Sequence, residues 1–213
     1  MSIPVLQFEN VRCPAGPKGL NLAVADRAIY LAYGPQGCGK SDLINLATGF
    51  RRPATGRVRQ FGIDLEQSPL DAKRVGIVFA EHSLTPELTL SRNLGFFGQL
   101  FGMFGRRLRS RTAEILAMCG LSELKDTRVD RLSNAERARA EIARALLHQP
   151  ELLLLDDPAR GLGGDVRSQM AQDLRDAGAF DDVAVVWTSR DDAEGAIADE
   201  VLQLPSLAGP QGD

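Results

Sequence analysis

The sequence predicts an α/β fold built on a mostly parallel sheet, with a helical subdomain inserted into it. Three observations predict this. Apolar runs at 28–32, 75–79, 152–155, 183–187 and 201–204 have the length of buried strands. Stretches with apolar residues at helical spacing separate them, notably 165–177. Between residues 91 and 144 the periodicity is mostly helical. Strands that alternate with helices require crossover connections, and so a parallel sheet.

Taken in order, Val5, Phe8 and Val11 with their neighbours suggest a first strand, and residues 20–24 (LNLAV) alternate with period two. The run 28–32 (AIYLA) leads straight into a glycine-rich loop. Beyond the loop, Leu43, Ile44, Leu46 and Ala47 share a helical face, and Thr48-Gly49 marks its end. The turn 53–56 (PATG) starts another strand over 57–63. In the helical part, Leu94, Phe97, Leu100, Phe101 and Phe104 form an apolar stripe. That stripe serves either as the subdomain's own core or as a groove for a partner helix. Residues 1–205 are expected to form a single domain, with its core at about 1–84 and 145–205 and its helical part at about 85–144. Residues 206–213 are expected to be a frayed tail.

The chain has 213 residues and a formal net charge of −3, which argues against a nucleic-acid binder. The cluster Arg106, Arg107, Arg109, Arg111 spreads around a helix and reads as a solvated face. No stretch approaches the roughly 20 apolar residues that cross a bilayer, and the N-terminus lacks the order of a signal peptide. The expectation is a cytoplasmic protein that reaches a membrane only through a partner. Cys13, Cys38 and Cys119 have neither metal-ligand nor pairing spacing and read as reduced thiols.

Chemistry concentrates in three motifs. The first is GPQGCGKS: Gly34, Pro35, Gln36, Gly37, Cys38, Gly39, Lys40, Ser41. It fits G-x-x-x-x-G-K-[ST] between a strand and a helix, the context of a P-loop NTPase. Its glycines let backbone N–H groups wrap phosphates, Lys40 reaches the outer phosphates, and Ser41 takes a place on Mg2+. The second is ELLLLDD, an apolar strand that presents Asp156 to the metal. The third is Ser133-Asn134-Ala135-Glu136, in which Ser133 and Glu136 have the spacing of a capping box at the start of a helix.

The run LSNAERARAEIARALLHQPELLLLDDPARGL resembles the signature-to-strand segment of ATP-binding-cassette (ABC) ATPases, where LSGGQ precedes a helix rich in Ala and Arg and a strand ending in Asp-Glu. PELTLSRNLGFFGQLFGMFG resembles the opening of that family's helical subdomain in a form common among bacterial exporters. The resemblance covers almost the whole chain. It implies a RecA-like core, a small antiparallel β subdomain and an inserted helical subdomain that carries the signature. It also implies ATP and Mg2+ as cofactors, and a transmembrane permease subunit in another chain on the cytoplasmic face of the inner membrane. Two ABC subunits, identical or as a heterodimer with an intact partner, would sandwich ATP head to tail. Ser133, Asn134 and Ala135 would then serve the partner's nucleotide.

Several positions depart from the family pattern. Asp42 stands where Thr or Ser is usual, and either repels phosphate or turns outward to favour the helix N-terminus. Ala80 replaces the glutamine that contacts metal and water. Asp157 replaces the glutamate that polarises the attacking water, and its carboxylate is withdrawn by about 1.5 Å, one C–C bond. Arg190 replaces the switch histidine: it keeps a cation near the γ-phosphate but cannot relay a proton. Gly163 replaces the aspartate of the following loop, Asn134 and Ala135 replace the signature glycines, and no aromatic residue stands in 12–17 to stack adenine.

These losses predict retained ATP binding with weak or partner-dependent hydrolysis, in an ATP-binding subunit of an ABC transporter. The alternative is a catalytically inactive, structural or regulatory subunit of an asymmetric complex. A soluble ABC protein of DNA repair or translation is disfavoured by the acidic balance and the lack of a second cassette, coiled coil or zinc-binding insert.

Overall fold

The computed structural model describes residues 3–13 and 19–205. A five-stranded parallel sheet forms the centre: β3 (Ile29–Tyr33), β6 (Val75–Val78), β7 (Leu152–Asp156), β8 (Ala184–Ser189) and β9 (Glu200–Gln203), in the order β6-β7-β8-β3-β9. Apart from the exposed edge strand β9, its strands are largely apolar because both faces are covered. Ile29, Leu31, Leu153, Leu155, Val185 and Trp187 point into one core. Tyr30, Ala32, Leu152, Leu154, Ala184 and Val186 point into the other. Each leucine buried this way contributes on the order of 2 kcal/mol.

The second core is closed by α1 (Lys40–Ala47) and an antiparallel sheet. That sheet contains β1 (Leu6–Val11), β2 (Leu20–Val24), β4 (Arg57–Gln60) and β5 (Ile63–Asp64), in the order β2-β1-β4-β5. The single strand expected over 57–63 is thus two. Phe61 and Gly62, both at positive φ (51° and 80°), break it into a hairpin turn.

The helical part contains α2 (Leu90–Leu100), α3 (Gly105–Met118) and α4 (Asn134–Leu146). Helix α5 (Gly164–Asp176) covers the same face of the parallel sheet. The apolar stripe divides. Leu94 is buried, and Phe97 and Phe101 pack against the core, so these three serve the subdomain itself. Leu100 and Phe104 are 66% and 64% exposed. Phe101 stacks on the His148 ring, with centroids 3.9 Å apart, and His148 Nε2 lies 3.2 Å from the Val75 carbonyl oxygen. Burial lowers the pKa of His148 and favours the neutral ring.

Arg111 is not part of a solvated face. Its guanidinium donates to the carbonyls of Leu146 and Leu147 at 2.8 and 3.1 Å, closing the end of α4. Arg106, Arg107 and Arg109 remain exposed. Residues 206–213, and 14–17 of the segment searched for an adenine-stacking aromatic, lie outside the described residues.

Candidate functional site

The phosphate loop runs from β3 into α1. Gly34 is required by close approach: a Cβ there would lie 2.7 Å from the Leu204 carbonyl oxygen and 2.8 Å from Cys38 Sγ. Gly39 caps α1 at φ 97°, a conformation that costs a side-chain-bearing residue steric energy. Cys38 is buried beneath the loop. Lys40 Nζ donates to the carbonyl of Gly34, and to that of Pro35 at 2.7 Å.

Ser41 Oγ donates to Asp156 Oδ1 at 3.2 Å, joining the first turn of α1 to the end of β7. The Thr188 hydroxyl on β8 lies 3.2 Å from both Asp156 Oδ1 and the Leu155 carbonyl oxygen, and accepts the Asp157 N–H at 3.0 Å. It has one proton and so serves one of the two oxygens at a time. Burial raises the Asp156 pKa, and the Ser41 and Thr188 hydrogen bonds oppose that rise.

Asp157 follows at φ 48°, in the left-handed region, where an aspartate is tolerated at some cost. Its carboxylate is only 5% exposed, and Oδ2 lies 3.4 Å from Arg160 Nε and 3.5 Å from Arg190 Nε. Two guanidiniums therefore share one oxygen. Both are about half exposed, at 53% and 50%. The segment that carries Arg190 is tied to α5 by the buried Arg167, which pairs with Asp191 and lies 3.2 Å from Glu194 Oε1.

Gln36, Gly37, Gly39, Lys40, Ser41, Asp42, Asp157, Arg160 and Arg190 line one cavity. Most of the expected phosphate and metal residues are thus brought together, with Asp156 reaching the site through Ser41. Asp42 is buried and lines the cavity, with its charge paired rather than left to face phosphate alone. Its carboxylate pairs with Arg51, and its charge helps burial push the Cys13 thiol up to about 11. Arg51 and Asp42 are distant in local pattern, and nothing in the sequence around either pointed to the pair.

Ser133, Asn134 and Ala135 do not line this cavity. Ser133 caps α4 as expected: it accepts the Glu136 N–H at 3.3 Å and donates its own N–H to Glu136 Oε2 at 2.8 Å. Asn134 opens on a second cavity, with Ala80, His82, Glu141, Asp157 and Arg160 among its walls.

Two contributors escaped the sequence reading. Arg160 stood there only as part of a loop lacking its aspartate; the available signal was a cation three residues after Asp157 in a turn. Glu141, buried on α4, accepts the N–H groups of Ser83 and Leu84 at 2.7 and 3.1 Å and pairs with Arg144 at 3.0 Å. Arg144 in turn donates to the Ile77 carbonyl at 2.7 Å. This pair clips the segment holding Phe79 and Ala80 to the signature helix.

The comparisons with known proteins bear on the family and the fold. The chain is 29% identical over 186 residues to the Fe(3+) ions import ATP-binding protein FbpC of Escherichia coli K12, covering 87% of this chain and 53% of that one. It is 33% identical over 198 residues to the spermidine/putrescine import ATP-binding protein PotA of Frankia alni, covering 90% of this chain and 43% of that one. The chain therefore spans about half the length of the curated relatives it matches. The fold matches cbiO1 of Clostridium perfringens, part of the ABC transporter complex cbiONQ, at TM-score 0.81 and 22% identity, over 95% of this chain and 85% of that one. It also matches a nucleotide-free ATP-binding cassette from an ABC transporter at TM-score 0.76 and 23% identity, over 95% and 90% of the two chains. The family described as ABC transporter matches residues 17–160, and with the loop at 34–41 and the signature helix both inside that match, this chain belongs to the ABC transporter family.

Proposed function

We propose that this chain is the ATP-binding subunit of an ABC transporter, that it binds MgATP at the 34–41 loop, and that its own hydrolysis is slow or partner-dependent. The observation that carries the binding half is the 3.2 Å contact between Ser41 Oγ and Asp156 Oδ1, beside Lys40. A hydroxyl and a carboxylate are hard oxygen donors suited to Mg2+, which takes its remaining ligands from water and phosphate. On this reading Ser41 and Asp156 position the ion that neutralises charge on the phosphates, and Lys40 and the loop N–H groups hold the phosphates themselves.

The slow half rests on Asp157 and Arg190. A general base must reach the attacking water. Asp157 is short, buried, and engaged through Oδ2 by two guanidiniums, while Arg190 does not give up a proton and so cannot relay one. The purely structural alternative is not favoured, because the relatives are named as ATP-binding proteins and Lys40, Ser41 and Asp156 are all kept.

The partners that fit this reading are a second ABC subunit, whose nucleotide would meet Ser133, Asn134 and Ala135, and a transmembrane permease subunit. None of the described helices is long and apolar enough to cross a membrane. We place the protein on the cytoplasmic face of the inner membrane, as one domain over 1–205 with its helical part at about 85–144.

Phosphate release from MgATP tests the proposal, with the protein alone, with its permease, and as Asp157→Glu/Arg190→His. The isolated wild type should run below about 0.1 s⁻¹, under the usual enzyme range, and the double variant at least tenfold faster. A faster wild type, or a double variant with no gain, overturns the slow-hydrolysis half.

A further inference from the structure

We propose that Arg160 is a nucleotide-contacting residue that, together with Arg190, binds the terminal phosphate of a nucleoside triphosphate. The inference rests on the ATP-binding reading and deepens it. Arg160 and Arg190 line the phosphate cavity with Lys40. Each engages Asp157 Oδ2 through its Nε, at 3.4 and 3.5 Å. A guanidinium carries five N–H donors in a planar fork that matches phosphate oxygens bidentately. One shared carboxylate oxygen uses few of these donors.

The difference in burial decides which group moves. Asp157 is 5% exposed on a constrained backbone, while the two arginines are about half exposed on long stems. An arriving anion would draw the guanidiniums off Oδ2 and leave the carboxylate in place. A phosphate bearing about two negative charges competes well with one carboxylate for two cations.

Position in the cavity sets the selectivity. The 34–41 loop and Lys40 hold the phosphates nearest the helix start, whereas Arg160 and Arg190 approach from the ends of β7 and β8. A third phosphate adds length and charge beyond the two held at the loop, so a pair of cations on that wall favours triphosphate over diphosphate. Arg160 thereby turns a wall that has lost its catalytic glutamate and histidine into one that retains ATP.

Calorimetric titration with the magnesium complexes of the β,γ-imido analogue of ATP and of ADP tests this on wild type, Arg160→Ala and Arg160→Lys. Arg160→Ala should weaken the triphosphate analogue about tenfold, the lower end for a charged hydrogen bond at a half-exposed site. ADP should change by less than about twofold, because it lacks the phosphate that Arg160 contacts. Arg160→Lys, which keeps the charge and loses the fork, should fall between wild type and alanine. Melting curves check that the variants stay folded. Equal losses for both nucleotides, or none for either, overturn the role of Arg160 and leave ATP binding standing. A wild type that binds neither nucleotide overturns both readings.

Discussion

The two walls of the phosphate cavity are built differently. On the loop wall, Lys40 and Asp156 are 9% and 7% exposed, and Ser41 and Thr188 hydrogen-bond into the same network. Each of these groups is held by at least one backbone or side-chain partner. On the opposite wall, Arg160 and Arg190 are half exposed and converge on one oxygen of Asp157. The family pattern is kept at Lys40, Ser41 and Asp156 on the first wall, while Asp157 and Arg190 depart from it on the second. Binding phosphate needs fixed donors and charge, which the first wall keeps. Cleaving it needs a base and a relay placed to within a fraction of an ångström.

Lys40→Ala breaks the comparison most directly. It removes the loop wall's only side-chain cation, and affinity for MgATP should fall at least about a hundredfold, the scale of a buried charge-assisted contact to phosphate. A loss of less than tenfold in a binding titration would mean that the arginine wall carries the nucleotide instead.

Glu141→Ala probes the scaffold of the second wall. It strips the acceptor from the N–H groups of Ser83 and Leu84 and leaves Arg144 without its carboxylate. The cost should be about 3 kcal/mol, a melting temperature lower by roughly 10 °C in a domain of this size. A change within a few degrees in calorimetry would show that the 77–84 segment is held by other contacts.

Asp156→Asn separates stability from the proposed metal role on the loop wall. The folded pKa of Asp156 is raised, chiefly by burial, so the unfolded chain loses this proton first as pH rises. The group therefore subtracts stability as pH climbs from the ordinary value of 3.8 through the folded value, and the deficit persists at neutral pH. Without nucleotide, the asparagine variant should melt slightly above wild type at pH 7, and the gap should close toward pH 3. Its dependence on Mg2+ for nucleotide binding should fall at the same time. A variant that melts lower at pH 7 contradicts the sign.

Asp42→Ser should have the smallest effect. Its partner Arg51 is half exposed, and a serine can hold the same place at the start of α1. MgATP affinity should change by less than about threefold, and a larger gain would mean that the carboxylate does repel phosphate.

Much of this was legible in the chain. The central strands announced themselves because burial on both faces removes polar residues from 152–155 and 184–187 alike. The phosphate loop and the capping box were legible because each is a local device whose residues must be close in sequence. The break at Phe61-Gly62 was less visible, since the apolar pattern continues across it. The fate of the phenylalanine stripe depended on which face α2 turns to α3 and α4, and periodicity carries no direction.

By itself, the sequence determined the fold class, the loop that wraps phosphate and the strand-end carboxylate beside it. Each of these follows from residue type and short-range spacing. The tertiary structure alone decided that Asp42 turns to Arg51, that Glu141 clips a distant loop, and that Arg190 joins Arg160 on Asp157. Charges find partners through space, and residues separated by tens of positions become neighbours only when the parallel sheet sets the ends of its strands side by side.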